Sequence, residues 1–183
     1  MKRCSWVKEN NPLYVAYHDQ EWGIPLHDER ALFELLCLET YQAGLSWETI
    51  LNKRAAFRQA FHGYDVHQVA VMTDAELEGI LQNPAVVRNR RKIYATRANA
   101  QAFLKIQAEF GSFDHYLWSF VGFTPIDNSV KYYRLAPSKT SLSEKIAKDM
   151  KQRGFKFVGP VCVYSFLEAA GLINDHESDC DWK

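Results

Sequence analysis

Thr73-Asp74-Ala75-Glu76-Leu77-Glu78-Gly79-Ile80-Leu81-Gln82-Asn83-Pro84-Ala85-Val86-Val87-Arg88-Asn89-Arg90-Arg91 is the stretch on which the reading of the fold depends. Thr73 with Glu76 three residues later is a capping-box pair, in which hydroxyl and carboxylate each satisfy an N–H that the first helical turn leaves free. Leu77, Ile80 and Leu81 recur at helical spacing. Asn83-Pro84 interrupts the run, because proline pushes its predecessor out of the helical region. Helical spacing resumes at Arg88 together with positive charge. Two helices joined by a short turn, the second opening on backbone N–H groups and Arg side chains, can hold a phosphate without reading the base attached to it.

Outward from this hairpin the same punctuation repeats. Asp28 reads as the cap of a helix through Glu29–Leu38, and Ser46 as the cap of one from Trp47 to about Phe61. The second hairpin helix should run from about Arg88 to Ala108, followed by a shorter one over Ser112–Phe120. Ser141 with Glu144 is a second capping-box pair, with Gly154 as its helix stop. Pro160 after Gly159 opens a last helix that Gly171 closes. No alternating strand and no Asn-Gly hairpin is found, so the expected fold class is all-α. Thr124–Thr140, with Pro125 and Pro137, reads as a loop. The first 27 residues, with Trp6, Tyr14, Tyr17 and Trp22, read as an irregular aromatic arm.

Composition narrows the function classes. The chain has 183 residues, with 22 Lys+Arg against 22 Asp+Glu, and 47% hydrophobic content, which excludes a disordered chain or a rod. No run of 18 or more apolar residues exists, so no span or membrane partner is expected. The start carries charge without an apolar stretch, so no signal peptide is expected and a cytoplasmic protein follows, in which Cys residues are thiols or metal ligands. The neutral total hides an asymmetry. Ala85 to Ala108 holds six cations (Arg88, Arg90, Arg91, Lys92, Arg97, Lys105) and no Asp or Glu, and Lys151, Arg153 and Lys156 form a second group. Such clustering is the footprint of a polyanion such as nucleic acid. A solvated helix face is the competing reading.

Two constellations carry possible chemistry. Cys4 and His18 lie near one end and His176 and Cys180 near the other, the latter pair one helical turn apart. Two Cys and two His can close a tetrahedral site for zinc. No finger template has this spacing, so ordinary thiols near the ends remain the alternative. Cys37 and Cys162 fall on apolar faces as core thiols, and His27, His62, His67 and His115 lack ligand spacing. Second, Tyr14, Tyr17, Trp22 and Trp47 surround Glu39 in sequence. Aromatic walls stack on flat ligands and attract cations, and a carboxylate among them can accept hydrogen bonds from a base edge. Core packing is the alternative.

Four strings then carry a resemblance: Tyr17-His18-Asp19-Gln20-Glu21-Trp22-Gly23, Gln42-Ala43-Gly44-Leu45-Ser46-Trp47, Gly154-Phe155-Lys156-Phe157-Val158-Gly159-Pro160 and Gly171-Leu172-Ile173-Asn174-Asp175-His176. In this order, with the Cys/His set at the ends, the chain resembles the bacterial DNA-3-methyladenine glycosylase I family, a divergent branch of the helix-hairpin-helix glycosylases. The resemblance runs from Arg3 to Cys180. It implies a single domain, 1–183, in which a helix-hairpin-helix lobe of about 28–110 meets a lobe built from about 1–27 and 111–183 and stapled by one structural zinc on Cys4, His18, His176 and Cys180. It implies a base pocket of Tyr14, Tyr17, Trp22, Glu39 and Trp47, with Trp6 and Ser165 as further candidates. Glu39 is its catalytic residue, chiefly reading the base, with a general-base role as the alternative. Gly44 and Leu45 stand where the family approaches the gap left by a flipped base, and Arg88, Arg90 and Arg91 where it meets DNA backbone. The implied reaction is hydrolysis of 3-methyladenine from double-stranded DNA by a monomer, releasing free base and leaving an abasic site without strand cleavage. A non-catalytic binder of alkylated DNA is the alternative. Thr40 and Ala85 stand where the family commonly has Gly.

Overall fold

Nine helices and one two-residue parallel ladder make up the protein, and the computed structural model describes all 183 residues. The helices are α1 (Pro12–Gln20), α2 (Glu29–Gln42), α3 (Trp47–Ala60), α4 (Val66–Ala70), α5 (Asp74–Leu81), α6 (Arg90–Phe110), α7 (Phe113–Ser119), α8 (Ser141–Gln152) and α9 (Pro160–Ala169). Most of the expected caps are present. Asp28 accepts from the Ala31 N–H at 2.8 Å, and Ser46 accepts from the Thr49 N–H at 3.2 Å. Both halves of the Thr73–Glu76 capping box form.

Four expectations are corrected. The N-terminal arm is not irregular throughout: Asn11 accepts from the N–H groups of Leu13 and Tyr14 and Pro12 sits in the first turn, which starts α1. The long helix, expected from about Arg88, begins at Arg90, because Asn89 caps it by accepting from the Lys92 N–H at 3.2 Å. The box that opens α8 is Thr140 with Ser143 rather than Ser141 with Glu144, because a serine hydroxyl serves in place of the carboxylate. A short ladder also exists, pairing β1 (Ile126–Asp127) in parallel with β2 (Ile173–Asn174). Two residues carry no alternation to read.

α2 is the axis of the molecule. Every residue from Leu32 to Tyr41 is buried, and α3, α6, α7 and α9 pack around it. The N-terminal arm is fastened to α9 by the Gly23 N–H on the Glu168 carbonyl (3.1 Å) and the Leu26 N–H on the Ala170 carbonyl (3.0 Å). Gly171 closes this seam. Its φ is +72°, and a Cβ there would meet the Ile24 backbone at 2.3 Å. Between α5 and α6 the turn is exposed at Pro84 and Ala85, while Lys53 Nζ donates to both of their carbonyls. Ala85 has no positive φ, so it adopts the turn without strain.

Candidate functional site

Two carboxylates on α2 set up a contrast. Glu34, buried, receives Arg54 Nε at 2.7 Å and Arg58 through two guanidinium nitrogens, so its charge is neutralised. Glu39, 4% exposed, has no such partner, and its Oε2 accepts no hydrogen bond. Burial alone pushes its carboxyl up to about 8. An unpaired buried acid costs folding free energy unless something binds there, and it faces a cavity of about 230 Å³.

The sequence-expected residues Tyr14, Tyr17, Trp22, Glu39 and Trp47 all line that cavity, with the further candidates Trp6 and Ser165. Trp6 is the hub of the aromatic wall, its ring centroid 4.9 Å from Trp22, 5.6 Å from Tyr14 and 5.9 Å from Tyr133. Tyr17 and Trp47 stand 5.1 Å apart at 53°. The indole N–H groups of Trp6 and Trp47 lack partners, like Glu39, so donors and an acceptor are held ready for a polar, flat ligand. Thr40 stays out of the way, returning its hydroxyl to the Cys37 carbonyl at 2.7 Å.

Behind the cavity the ends of the chain meet. The ligand atoms of Cys4, His18, His176 and Cys180 lie within 4.8 Å of one another, all four residues buried. Both imidazoles are oriented through Nδ1, His18 by Asp19 at 2.8 Å and His176 by Asn174 at 2.9 Å. That leaves Nε2 of each for a metal, and His176 Nε2 has no other partner. Arg3 in turn holds Asp19 through Nε and a second guanidinium nitrogen. The Glu177 N–H points at Cys4 Sγ at 3.4 Å, as it would toward a thiolate. This donor set fits a four-coordinate Cys₂His₂ site. It also touches the cavity wall, since His176 packs edge-on to Trp22 at 4.6 Å and His18 to Trp6 at 5.3 Å.

A family model described as methyladenine glycosylase matches residues 6–183. The chain belongs to that family. It is 44% identical to DNA-3-methyladenine glycosylase 1 of Escherichia coli (strain K12) across 98% of this chain and 96% of that one. Among solved structures it resembles a crystal structure of 3-methyladenine DNA glycosylase I with a TM-score of 0.95 and 46% identity, covering 98% of each chain. It also resembles the Staphylococcus aureus 3-methyladenine DNA glycosylase I, whose structure addresses 3-methyladenine recognition, with a TM-score of 0.96 and 43% identity, covering 100% of this chain and 97% of that one.

In this methyladenine glycosylase the cavity opens into a wider groove of about 540 Å³ that shares Glu39, Gln42 and Ser165 with it and runs past Gly44, Leu45, Phe157 and Val161. Gly44 turns the chain with φ +80°, presenting Leu45 to solvent. The expected basic stripe divides in two. Arg88, Arg90 and Arg91 are exposed, Arg90 being paired with Glu78 and stacked on Tyr94. Lys92 instead turns inward: its Nζ donates to the carbonyls of Tyr41 (2.7 Å) and Ala43 (2.6 Å), closing the C-terminal end of α2 just before Leu45. Arg97 likewise holds the Met72 carbonyl at 2.7 Å. Of the expected core thiols, Cys37 is buried, while Cys162 is half-buried on the groove wall. Sequence reading missed Gln42, Tyr133 and Glu168 as lining residues. Tyr133 comes from the loop after β1, and Glu168 sits among alanines and leucines on α9, without a motif around it.

Proposed function

We propose that this glycosylase excises 3-methyladenine from alkylated double-stranded DNA by simple hydrolysis. The single observation that carries the proposal is the unpartnered, buried carboxyl of Glu39 inside an aromatic cage. Methylation at N3 makes adenine cationic. The charge weakens the glycosidic bond, because the base departs neutral, and it also draws the base to aromatic faces and to a carboxylate. The target must leave the stack first, at a cost of a few kcal/mol, and Leu45 stands exposed at the groove where it can fill the gap. Arg88 and Arg91, with Arg90 beside them, hold the phosphates. No lysine lines the cavity, so no amine nucleophile is available for strand cleavage. Glu39 accepts from the base and balances its charge. Tyr17 and Trp47 hold the ring plane, with Tyr14, Trp22 and Trp6 completing the cage.

Cys4, His18, His176 and Cys180 would hold one zinc ion per chain. With four protein ligands the ion supplies a tether for the two chain ends and no open position for water. Four free cysteines suit a reducing compartment, and we assign the enzyme to the cytoplasm, acting as a monomer.

A single-turnover assay on methylated duplex tests the function: free 3-methyladenine appears, and the strand stays intact until the abasic site is cleaved by alkali. Glu39→Gln should weaken lesion binding and excision together, by at least about tenfold each. Binding of methylated duplex without release of free base would reduce the protein to a binder. For the metal, elemental analysis should find about one zinc per chain, and chelation should lower the melting temperature.

A further inference from the structure

The cavity contains a second acid besides Glu39. Glu168 is 2% exposed, lines the same cavity as Glu39, and its Oε1 has no hydrogen-bond partner. The groups that face it are Glu39, Tyr17, Tyr133, Tyr164 and Asp175, none of which is a cation. Asp175 already takes the Tyr164 hydroxyl at 2.5 Å and the Asn128 amide at 2.7 Å. It lies beside Glu168 and disfavours a charge there. Two carboxyl groups and no cation around one cavity is an arrangement that one proton relieves.

We propose that Glu168 is a second base-reading group: it keeps its proton, leaves Glu39 as the sole anion facing the cavity, and donates a hydrogen bond to a ring nitrogen of the flipped purine. Burial and the neighbouring Asp175 and Glu39 raise its carboxyl to about 10, above that of Glu39. When a cation enters, Glu39 therefore ionises and Glu168 does not. The division of labour follows: one acid matches the positive charge, while the other, as a neutral O–H, meets an acceptor that every adenine ring carries but that a deaza ring lacks. This inference rests on the glycosylase reading of the cavity.

Calorimetric binding of free 3-methyladenine and of its 1-deaza and 7-deaza analogues tests it, in the wild type, Glu168→Gln, Glu168→Leu and Glu39→Gln. Failure of the wild type to bind 3-methyladenine would overturn the functional reading itself. With binding established, Glu168→Gln, a neutral isostere with an N–H donor, should hold affinity within about threefold, and Glu168→Leu should lose about tenfold. One deaza analogue should bind the wild type about tenfold more weakly than the parent base, and this gap should close in Glu168→Leu. If Glu168→Gln falls as far as Glu39→Gln, the group acts as an anion and the proposal is wrong. Wild-type affinity in Glu168→Leu, or a deaza gap that persists in it, overturns it as well. Should Glu168→Leu not fold, Glu168→Ala takes its place, with the same loss of affinity and the same closing of the deaza gap expected.

Discussion

Glu34 and Glu39 lie five residues apart on one buried helix, yet their electrostatics are opposite because only Glu34 has guanidiniums within reach. The difference makes a pH signature. In the free enzyme Glu39 holds its proton up to about 8, and a cationic lesion requires it ionised. The kcat/KM for excision should therefore rise with pH, about tenfold per unit below 8 and level above it, since this parameter reports the free enzyme. In Glu39→Gln the limb should vanish. Stability should move the other way. Below the ordinary carboxyl value of 4.5 both folded and unfolded chains are protonated at this group. Between there and about 8 only the folded chain keeps the proton, so Glu39 loses stability for the fold as pH rises. Urea titrations at pH 5 and 8 should show that decline in the wild type and a smaller one in Glu39→Gln. At this scale Glu39 and its aromatic neighbours were legible in the sequence because they cluster within it. Glu168 and Tyr133 were not, since only tertiary packing brings them to the cavity.

Among the elements, caps and stops were the readable part, because each is a local contest between a side chain and water for a free backbone group. Asp28, Ser46, Thr73 and Gly171 mark their boundaries as the sequence implies. The basic stripe was only half readable. Charge counts along a helix cannot say which cations turn inward, and Lys92 does so because α2 ends against α6 with two carbonyls unsatisfied. Burial lowers the pKa of its ammonium, yet both acceptors keep it useful there. Lys92→Met should cost about 1–3 kcal/mol of stability by stranding those carbonyls, read as a lower denaturant midpoint. It should also reduce excision from duplex more than binding of the free base, since the loosened segment carries Leu45 and not the cage. An equal loss in both assays would count against that division.

For the molecule as a whole, all-α architecture was legible from periodicity, whereas the meeting of the two ends was legible only through the Cys/His set and the family resemblance, because no local pattern encodes a contact between residues so far apart. Glu177 shows how tightly that meeting is bound to the pocket. Its carboxylate takes the Ser5 N–H and hydroxyl at 2.8 and 2.6 Å and the Tyr133 N–H at 2.7 Å, so it seats the residue before Trp6 and the residue Tyr133 itself. Removal of residues 175–183 should therefore abolish 3-methyladenine binding as well as metal content, while circular dichroism keeps most of its helical signal. Retention of base binding in that truncation would separate the two. Gly171 has a similar reach, since a methyl group there would strike the Ile24 backbone. Gly171→Ala should lower the melting temperature and weaken base binding in step.

The Cys/His cluster also has a meaning in time. Translation produces Cys4 and His18 early and Cys180 much later. Until it arrives, Cys4 and His18 have no companions, and Trp6, Tyr133 and Trp22 lack the backing that His176 and Glu177 give them. A chain cut short of His176 and Glu177 should therefore leave the cavity wall at Trp22 and Tyr133 without its backing.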